Sequence, residues 1–325
     1  MNKLMNILTT AVFVTYVGFN AFAPIKRHYV MDLVKEVPKV MSGWFSDQSY
    51  KEQEGKLLAD LHVHFSLPKS GIEKLVDDLM KKVDIVGITG RGLPYHASAL
   101  IDFDDFKKHV QDLGPEYDVF TDNKLVKIKT HDDVLYVIRS QEIMTKKNIE
   151  VVAVGCEESF NSYIDIDSLL AEISDQGGFS FIAHPYSLHK SLQDGLFGLP
   201  NNEDEEEIIH YAKKCTAIET FNAQNTWFGK SMVGSNILAK RTAKKYGLPG
   251  LANSDSHYVI SETGLAGTVF YEELLDFSSG DNLIKSLKQS IENENFELHT
   301  EYNNPLSFGK SIAGFTLRNV FYRPI

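Results

Sequence analysis

His62 and His64 stand one residue apart in the stretch LLADLHVHFS, at the end of an apolar run and just after Asp60. Residues i and i+2 of an extended strand point to the same side, so both imidazoles project together from the strand's tip. Other short apolar runs end in similar groups. VLYVIRSQE ends in Glu142, FSFIAHP in His184, AIETFN in Glu219 and Asn222, and GLANSDSH in Asp255 and His257. Imidazoles and carboxylates are the ligand types that suit Zn²⁺, Mn²⁺ or Fe²⁺. Each piece alone has an ordinary structural reading: an incidental HxH, a core histidine before Pro185, a surface ion pair at Glu142, a turn at Asp255 to His257. Their recurrence in order, each where a strand ends, is what makes a metal site.

The elements that must carry these groups alternate along the chain. KLLADLH and DIVGIT read as strands, and GIEKLVDDLMKKV places Ile72, Leu75, Val76 and Leu79 at helical spacing. The stretch from Lys124 to Gly155 reads as two or three strands joined by a charged turn at His131 to Asp133. DIDSLLAEISDQGG is a helix with a glycine stop, and DEEEIIHYAKKC a helix with acids first and lysines last, which suits its dipole. SNILAKRTAKKYG and DNLIKSLKQSIENE continue the alternation. Repeated strand-then-helix units imply an α/β fold with a parallel sheet, closed or open. In a (β/α) barrel, catalytic groups collect at the carboxyl ends of the strands, so distant residues converge on one mouth.

The chain has 325 residues, a formal net charge of −11, 43% hydrophobic residues and 24% charged ones. That composition is ordinary for a globular protein, and the charge argues against a bulk footprint for long nucleic acid. Cys156 and Cys215 form no CxxC pair and read as buried apolar residues. Leu4 to Ile25 carries no charge and is long enough to span a bilayer. Three readings of it compete. As an uncleaved anchor it is followed by Lys26, Arg27, Lys35 and Lys39, which places the body in the cytoplasm by the positive-inside rule. As a signal peptide it ends in an Ala-x-Ala at Ala23, and the protein is exported. As a helix packed on the domain it does neither. The expected organisation is therefore a hydrophobic helix at 1–25, a polar connector at 26–56, an α/β body at 57–300 that carries the candidate metal ligands and an extension at 301–325.

DLHVHFS, the strand ending in Glu142, AHPY, IETFN and NSDSH together resemble the PHP family, named for its polymerase and histidinol phosphatase members. The resemblance covers about residues 57–270. It implies a distorted seven-stranded, TIM-barrel-like (β/α) barrel with a metal cluster at its mouth, and phosphoester hydrolysis by metal-activated water. By the same resemblance, His62, His64, Glu142 and Asp255 match the ligands of the first metal. Glu142 bridges to a second metal that His184 also binds, and His257 matches a ligand of the third. The chain also departs from the pattern. GITGRG puts Gly90 and Arg91 where the family has an acid and a histidine, and Ser70 stands where another ligand is usual. No histidine lies between Glu142 and His184. One or two divalent ions (Zn, Mn or Fe) are therefore expected rather than three.

Arg91 suggests a replacement, because a guanidinium is permanently charged and forks onto phosphate oxygens. Arg91 and His257 are the expected catalytic groups, the second to orient water or protonate the leaving oxygen. Arg91 is an expected substrate contact, Glu219 and Asn222 are expected to support the mouth or touch substrate rather than ligate, and His96 is a further candidate ligand from the same loop as Arg91. The expected substrate is a small phosphorylated molecule. Two other readings stay open: an amidohydrolase-like enzyme acting on C–N bonds, and a degenerate, membrane-tethered metal-binding module without activity.

Overall fold

The computed structural model describes residues 50–303 apart from 51–52, 66–70, 92–99, 187–201, 226–232 and 258–259, together with residues 32, 35, 36 and 38–42. The hydrophobic segment at 1–25, Ser70, His96 and positions 304–325 lie outside the described residues. Within them, no helix is long and apolar enough to cross a membrane.

One mixed sheet organises the molecule. Across it run β1 (Lys56–His64), β2 (Ile85–Arg91), β5 (Val134–Met144), β6 (Glu150–Val154), β7 (Phe179–Ile182), β8 (Ala217–Asn222) and β9 (Gly250–Asn253). Two more strands, β11 (Ala266–Tyr271) and β12 (Phe296–Thr300), extend it beyond β1. The parallel sheet expected from the sequence is only partly present. β1, β2 and β5 run parallel, as do β7, β8 and β9, but β6 is antiparallel to both its neighbours. The cause is connection length. Parallel neighbours need a crossover of a dozen or more residues, and only Thr145 to Ile149 separate β5 from β6. There Thr145 Oγ1 donates to the Ile149 carbonyl at 2.8 Å, and Asn148 takes a left-handed φ of 54°. A hairpin of β3 (Asp118–Thr121) and β4 (Leu125–Lys129) pairs with the first half of β5, leaving its second half to β6.

Helices cover the sheet. α1 (Ile72–Met80) buries Ile72, Leu75, Val76 and Leu79, the positions that its spacing picks out. Asp165 caps α3 (Ile166–Asp175) by accepting from the Ser168 amide. α6 (Gly280–Glu292) packs Leu283, Ile284, Leu287 and Ile291 into one cluster with Leu61, Ile138, Val152, Phe181 and Leu251. The remaining helices are α2 (Phe103–His109), α4 (Asn202–Ala212) and α5 (Val233–Tyr246).

Part of the stretch read as a connector also belongs to this body. The described residues between 32 and 42 are helical; Val40 and Met41 are fully buried, and Val40 packs with Phe221, Ile237 and Tyr302. Arg241 of α5 holds Asp32 at 2.6 Å, and the Tyr302 hydroxyl donates to Glu36 at 3.2 Å. Val30, Val34, Val37 and Met41 fall at helical spacing in the sequence, a signal that the reading of this stretch as a connector passed over.

The seam between β9 and β1 positions the site. β9 ladders only with β8, and the gap to β1 is bridged by β10 (Ser256–His257), which pairs Val63 with Ser256 and His64 with His257. Side chains complete the closure: Asn253 Oδ1 accepts from Leu61 N at 3.0 Å, and Asp60 Oδ1 accepts from Ser254 N at 3.0 Å. The sheet is barrel-like, nearly closed, and sewn at the strand ends that carry the candidate ligands.

Candidate metal centre

His62 and His64 leave β1 on one side, as i and i+2 require, and their Nε2 atoms stand 3.3 Å apart. Glu142, near the end of β5, sets Oε1 at 3.4 Å from the first nitrogen and Oε2 at 3.4 Å from the second. Asp255 Oδ1 lies 3.5 Å and 3.7 Å from the same two nitrogens. A four-coordinate ion with bonds of about 2.0–2.1 Å separates its ligands by about 3.3–3.4 Å. The donor cage has that size. Among the described residues none donates a hydrogen bond to the buried Asp255 Oδ1, an arrangement that costs free energy unless a cation meets the oxygen. The residues therefore fit a divalent ion.

His184 joins from the next strand but one, with Nε2 at 3.2 Å from Glu142 Oε1 and 4.0 Å from Asp255 Oδ2. Its ring stacks on that of His62 with centroids 5.6 Å apart. Both His184 (φ 23°) and Asp255 (φ 51°) hold left-handed backbone. Such strain collects at functional sites when surrounding bonds over-determine it. Here Glu219 Oε2 accepts from His184 N at 2.8 Å, and the His62 carbonyl accepts from Asp255 N at 2.9 Å.

Glu219 and Asn222, expected to support the mouth or touch substrate, lie buried beneath the ligands. Glu219 spends its oxygens on His62 Nδ1 (3.3 Å), Asn253 Nδ2 (2.9 Å), Asn222 Nδ2 (3.0 Å) and the His184 amide. A carboxylate on the far nitrogen of a ligating histidine fixes its tautomer and orientation. Asn222 also donates to Asp255 Oδ2 at 3.1 Å.

Arg91 ends β2 opposite Glu142 in the ladder. One of its terminal nitrogens stands 3.6 Å from Glu142 Oε2 and 3.3 Å from His257 Nε2. His257 Nδ1 faces the Asp255 carbonyl at 2.8 Å, so that nitrogen carries the proton in the neutral ring. His64, Asp255 and His257 come together as a further ligand-type group, and the guanidinium stands against it.

Three groups here were not singled out by the sequence reading. Glu150 Oε2 lies 3.5 Å from His184 Nδ1. Asp60 accepts from Ser254 N and, at 3.0 Å, from Gly264 N, which ties the Asp255 loop to β1. Asn253 braces Leu61 and Glu219. Strand parity could have found Glu150, since it shares a face with Val152, which opposes Glu142 in the antiparallel ladder.

Burial sets the charge states. It holds the His64 imidazole down to about 4, helped by His257, and the His257 imidazole down to about 3, helped by Arg91. At His184 burial also lowers, but Glu150 and Glu142 overcome it and raise the ring to about 10. At His62 the same contest, with Asp255 and Glu219 as the raising charges, ends well above the ordinary value. Burial pushes the Asp60 carboxyl up to about 7 against its two amide donors. For Glu142 burial raises, while Arg91 and the three histidines hold it well below the usual range. His62 and His184 thus carry protons at neutral pH in the metal-free protein, and a ligating ion must displace them. Divalent-ion affinity should rise between about pH 6 and pH 8, by roughly tenfold per unit for each proton displaced. A competition titration that finds no pH dependence contradicts this.

A family model described as PHP-associated matches residues 234–290, the segment that holds Asp255 and His257. An uncharacterized protein of Methanocaldococcus jannaschii is 26% identical over 161 residues, which is 50% of this chain and 59% of that protein. The chain thus spans less than two thirds of that relative's length. Among solved structures, PsfC from Pseudomonas syringae is similar at a TM-score of 0.49 and 14% identity, over 82% of this chain and 99% of that one. The lesion-specific endonuclease PfuEndoQ from Pyrococcus furiosus is similar at a TM-score of 0.45 and 14% identity, over 75% of this chain and 57% of that one. The matched segment takes in the NSDSH motif, whose aspartate meets the two histidines of DLHVH in the fold, so the match to the PHP-associated model falls on residues of the candidate metal centre.

Proposed function

We propose that this chain is a metal-dependent phosphoesterase acting on a small phosphorylated substrate. One observation carries the reading: two imidazole nitrogens and two carboxylates from β1, β5 and the 254–257 segment form a cage of ion-binding size, with a buried Asp255 oxygen that accepts no hydrogen bond from the described residues. His62, His64, Glu142 and Asp255 hold the first ion, and His184 with Glu142 and Asp255 a second. Mixed imidazole and carboxylate ligands suit Zn²⁺, Mn²⁺ or Fe²⁺. Bound there, a divalent ion polarises a phosphoryl oxygen and lowers the pKa of water.

The protein's own groups supply the rest. Arg91 stands 3.3 Å from His257 Nε2, and its fixed charge disfavours a cation at the His64–Asp255–His257 group. The same charge is available to fork onto an incoming phosphate, which the carboxylates around it would otherwise repel. His257 is held neutral by burial and by Arg91, so its Nε2 suits orienting a water as a hydrogen-bond acceptor, once the guanidinium turns to the phosphate, better than protonating the leaving oxygen. Glu219 and Asn222 keep His62, His184 and Asp255 in place from below.

Element analysis of the purified full chain, with a panel of phosphomonoesters, phosphodiesters, short DNA duplexes and amides, tests the proposal. One or two equivalents of divalent ion and chelator-sensitive phosphoester hydrolysis are expected. Metal-bound protein that cleaves only amides would favour the amidohydrolase reading, and metal-free, inert protein the binding module. Within the phosphoesterase reading, Arg91→Ala should lower kcat/KM by about 10²–10³-fold with metal content unchanged. Unaltered activity in that variant, where His64→Ala is dead, removes Arg91 from the mechanism.

A further inference from the structure

The metal centre has two carboxylates placed alike, each against the Nδ1 side of a histidine whose Nε2 faces the cage. Beneath His62, Glu219 faces Nδ1 at 3.3 Å and leaves Nε2 toward Glu142 and Asp255. Beside His184, Glu150 faces Nδ1 at 3.5 Å, and Nε2 again meets Glu142 at 3.2 Å and Asp255 at 4.0 Å. The two nitrogens of an imidazole point their lone pairs in widely different directions. A single ion on Nε2 therefore cannot be met by the carboxylate on the Nδ1 side of the ring.

We propose that Glu150 is a positioning residue for the second cation site: its carboxylate takes the Nδ1–H of His184 and so commits Nε2 to ligation between Glu142 and Asp255. This rests on the metal-centre reading above. The backbone prepares the contact. The Thr145–Ile149 turn brings β6 back antiparallel to β5, so Glu150, the first residue of β6, pairs with Met144 at the rim, two residues beyond Glu142 and on the face of Val152, which opposes Glu142. The Glu150 carbonyl accepts from Ala183 N at 3.0 Å, which fixes the residue before His184 to the same strand end. Both side chains are mostly buried, 17% exposed for Glu150 and 12% for His184, so solvent competes little for the contact. His184 also needs external orientation, because its left-handed φ of 23° is not one that a histidine keeps unaided.

The test is a Zn²⁺ titration against a chromophoric chelator, on full-length wild type, Glu150→Ala and Glu150→Gln, with thermal melts of each metal-free protein. Two equivalents are expected for wild type. Glu150→Ala should keep the first and bind the second about 10–100-fold more weakly. Glu150→Gln, which retains an acceptor oxygen, should recover part of the loss, and the metal-free melts should be alike. Equal second-site affinity in Glu150→Ala overturns the assignment. So does parallel weakening of both sites with a lowered metal-free melt, which marks a structural role. A wild type that takes up one equivalent removes this inference but not the metal-centre reading. Uptake of none removes both.

Discussion

The seam between β1 and β9 is sewn by polar side chains and the two-residue β10, and the arrangement of the site depends on it. Asp60 takes the amides of Ser254 and Gly264, Asn253 takes that of Leu61, and the His62 carbonyl takes that of Asp255. A continuous strand there would send alternate side chains to opposite faces. Asp255 turns instead through a left-handed φ, which brings its carboxylate against the two imidazoles of β1. Register shifts occur nearby, in β1 between Asp60 and Val63 and in β8 between Glu219 and Phe221. Such irregularities re-aim side chains next to active sites.

Charge is the second constraint. Glu142, Asp255 and Glu219 crowd around four imidazoles, with Glu150 and Asp60 close behind. Buried carboxylates at such separations persist when they are paired or hydrogen-bonded. Glu219 and Asp60 are satisfied by amides and by His62, and Asp255 Oδ1 is left over at the centre of the cage. Arg91 is positioned to offset part of the excess beside Glu142. The shortfall lies where two imidazole nitrogens converge, which is the chemical definition of a cation site.

Much of this was legible in the sequence because it depends on short-range rules. The i, i+2 rule alone puts His62 and His64 on one side, and Glu142, His184 and Asp255 announce themselves at the ends of apolar runs. What stayed hidden depends on partners far away or on strand direction. Asp60 acts on amides about two hundred positions distant, and nothing around it marks those partners. Glu150 opens its strand rather than closing it, so a search of carboxyl ends passes over it; β6 reverses direction and brings that first residue to the mouth. Glu219 sits at a strand end as expected, yet only the packing shows that it faces histidine and asparagine side chains rather than the opening. The helical spacing of Val34, Val37 and Met41 hints at an apolar face there, but that Val40 packs against Ile237 of α5 and Tyr302 is a tertiary contact with no local signal.

The account comes down to a divalent ion held jointly by imidazole and carboxylate at the end of β1. X-ray absorption at the metal edge, on full-length protein loaded with one equivalent of Zn²⁺, addresses this most directly. The account predicts a shell of nitrogen and oxygen at about 2.0–2.1 Å with the outer scattering of two imidazoles, lost when His62 and His64 are replaced. An all-oxygen shell without imidazole scattering, or a spectrum unchanged by those replacements, would contradict it.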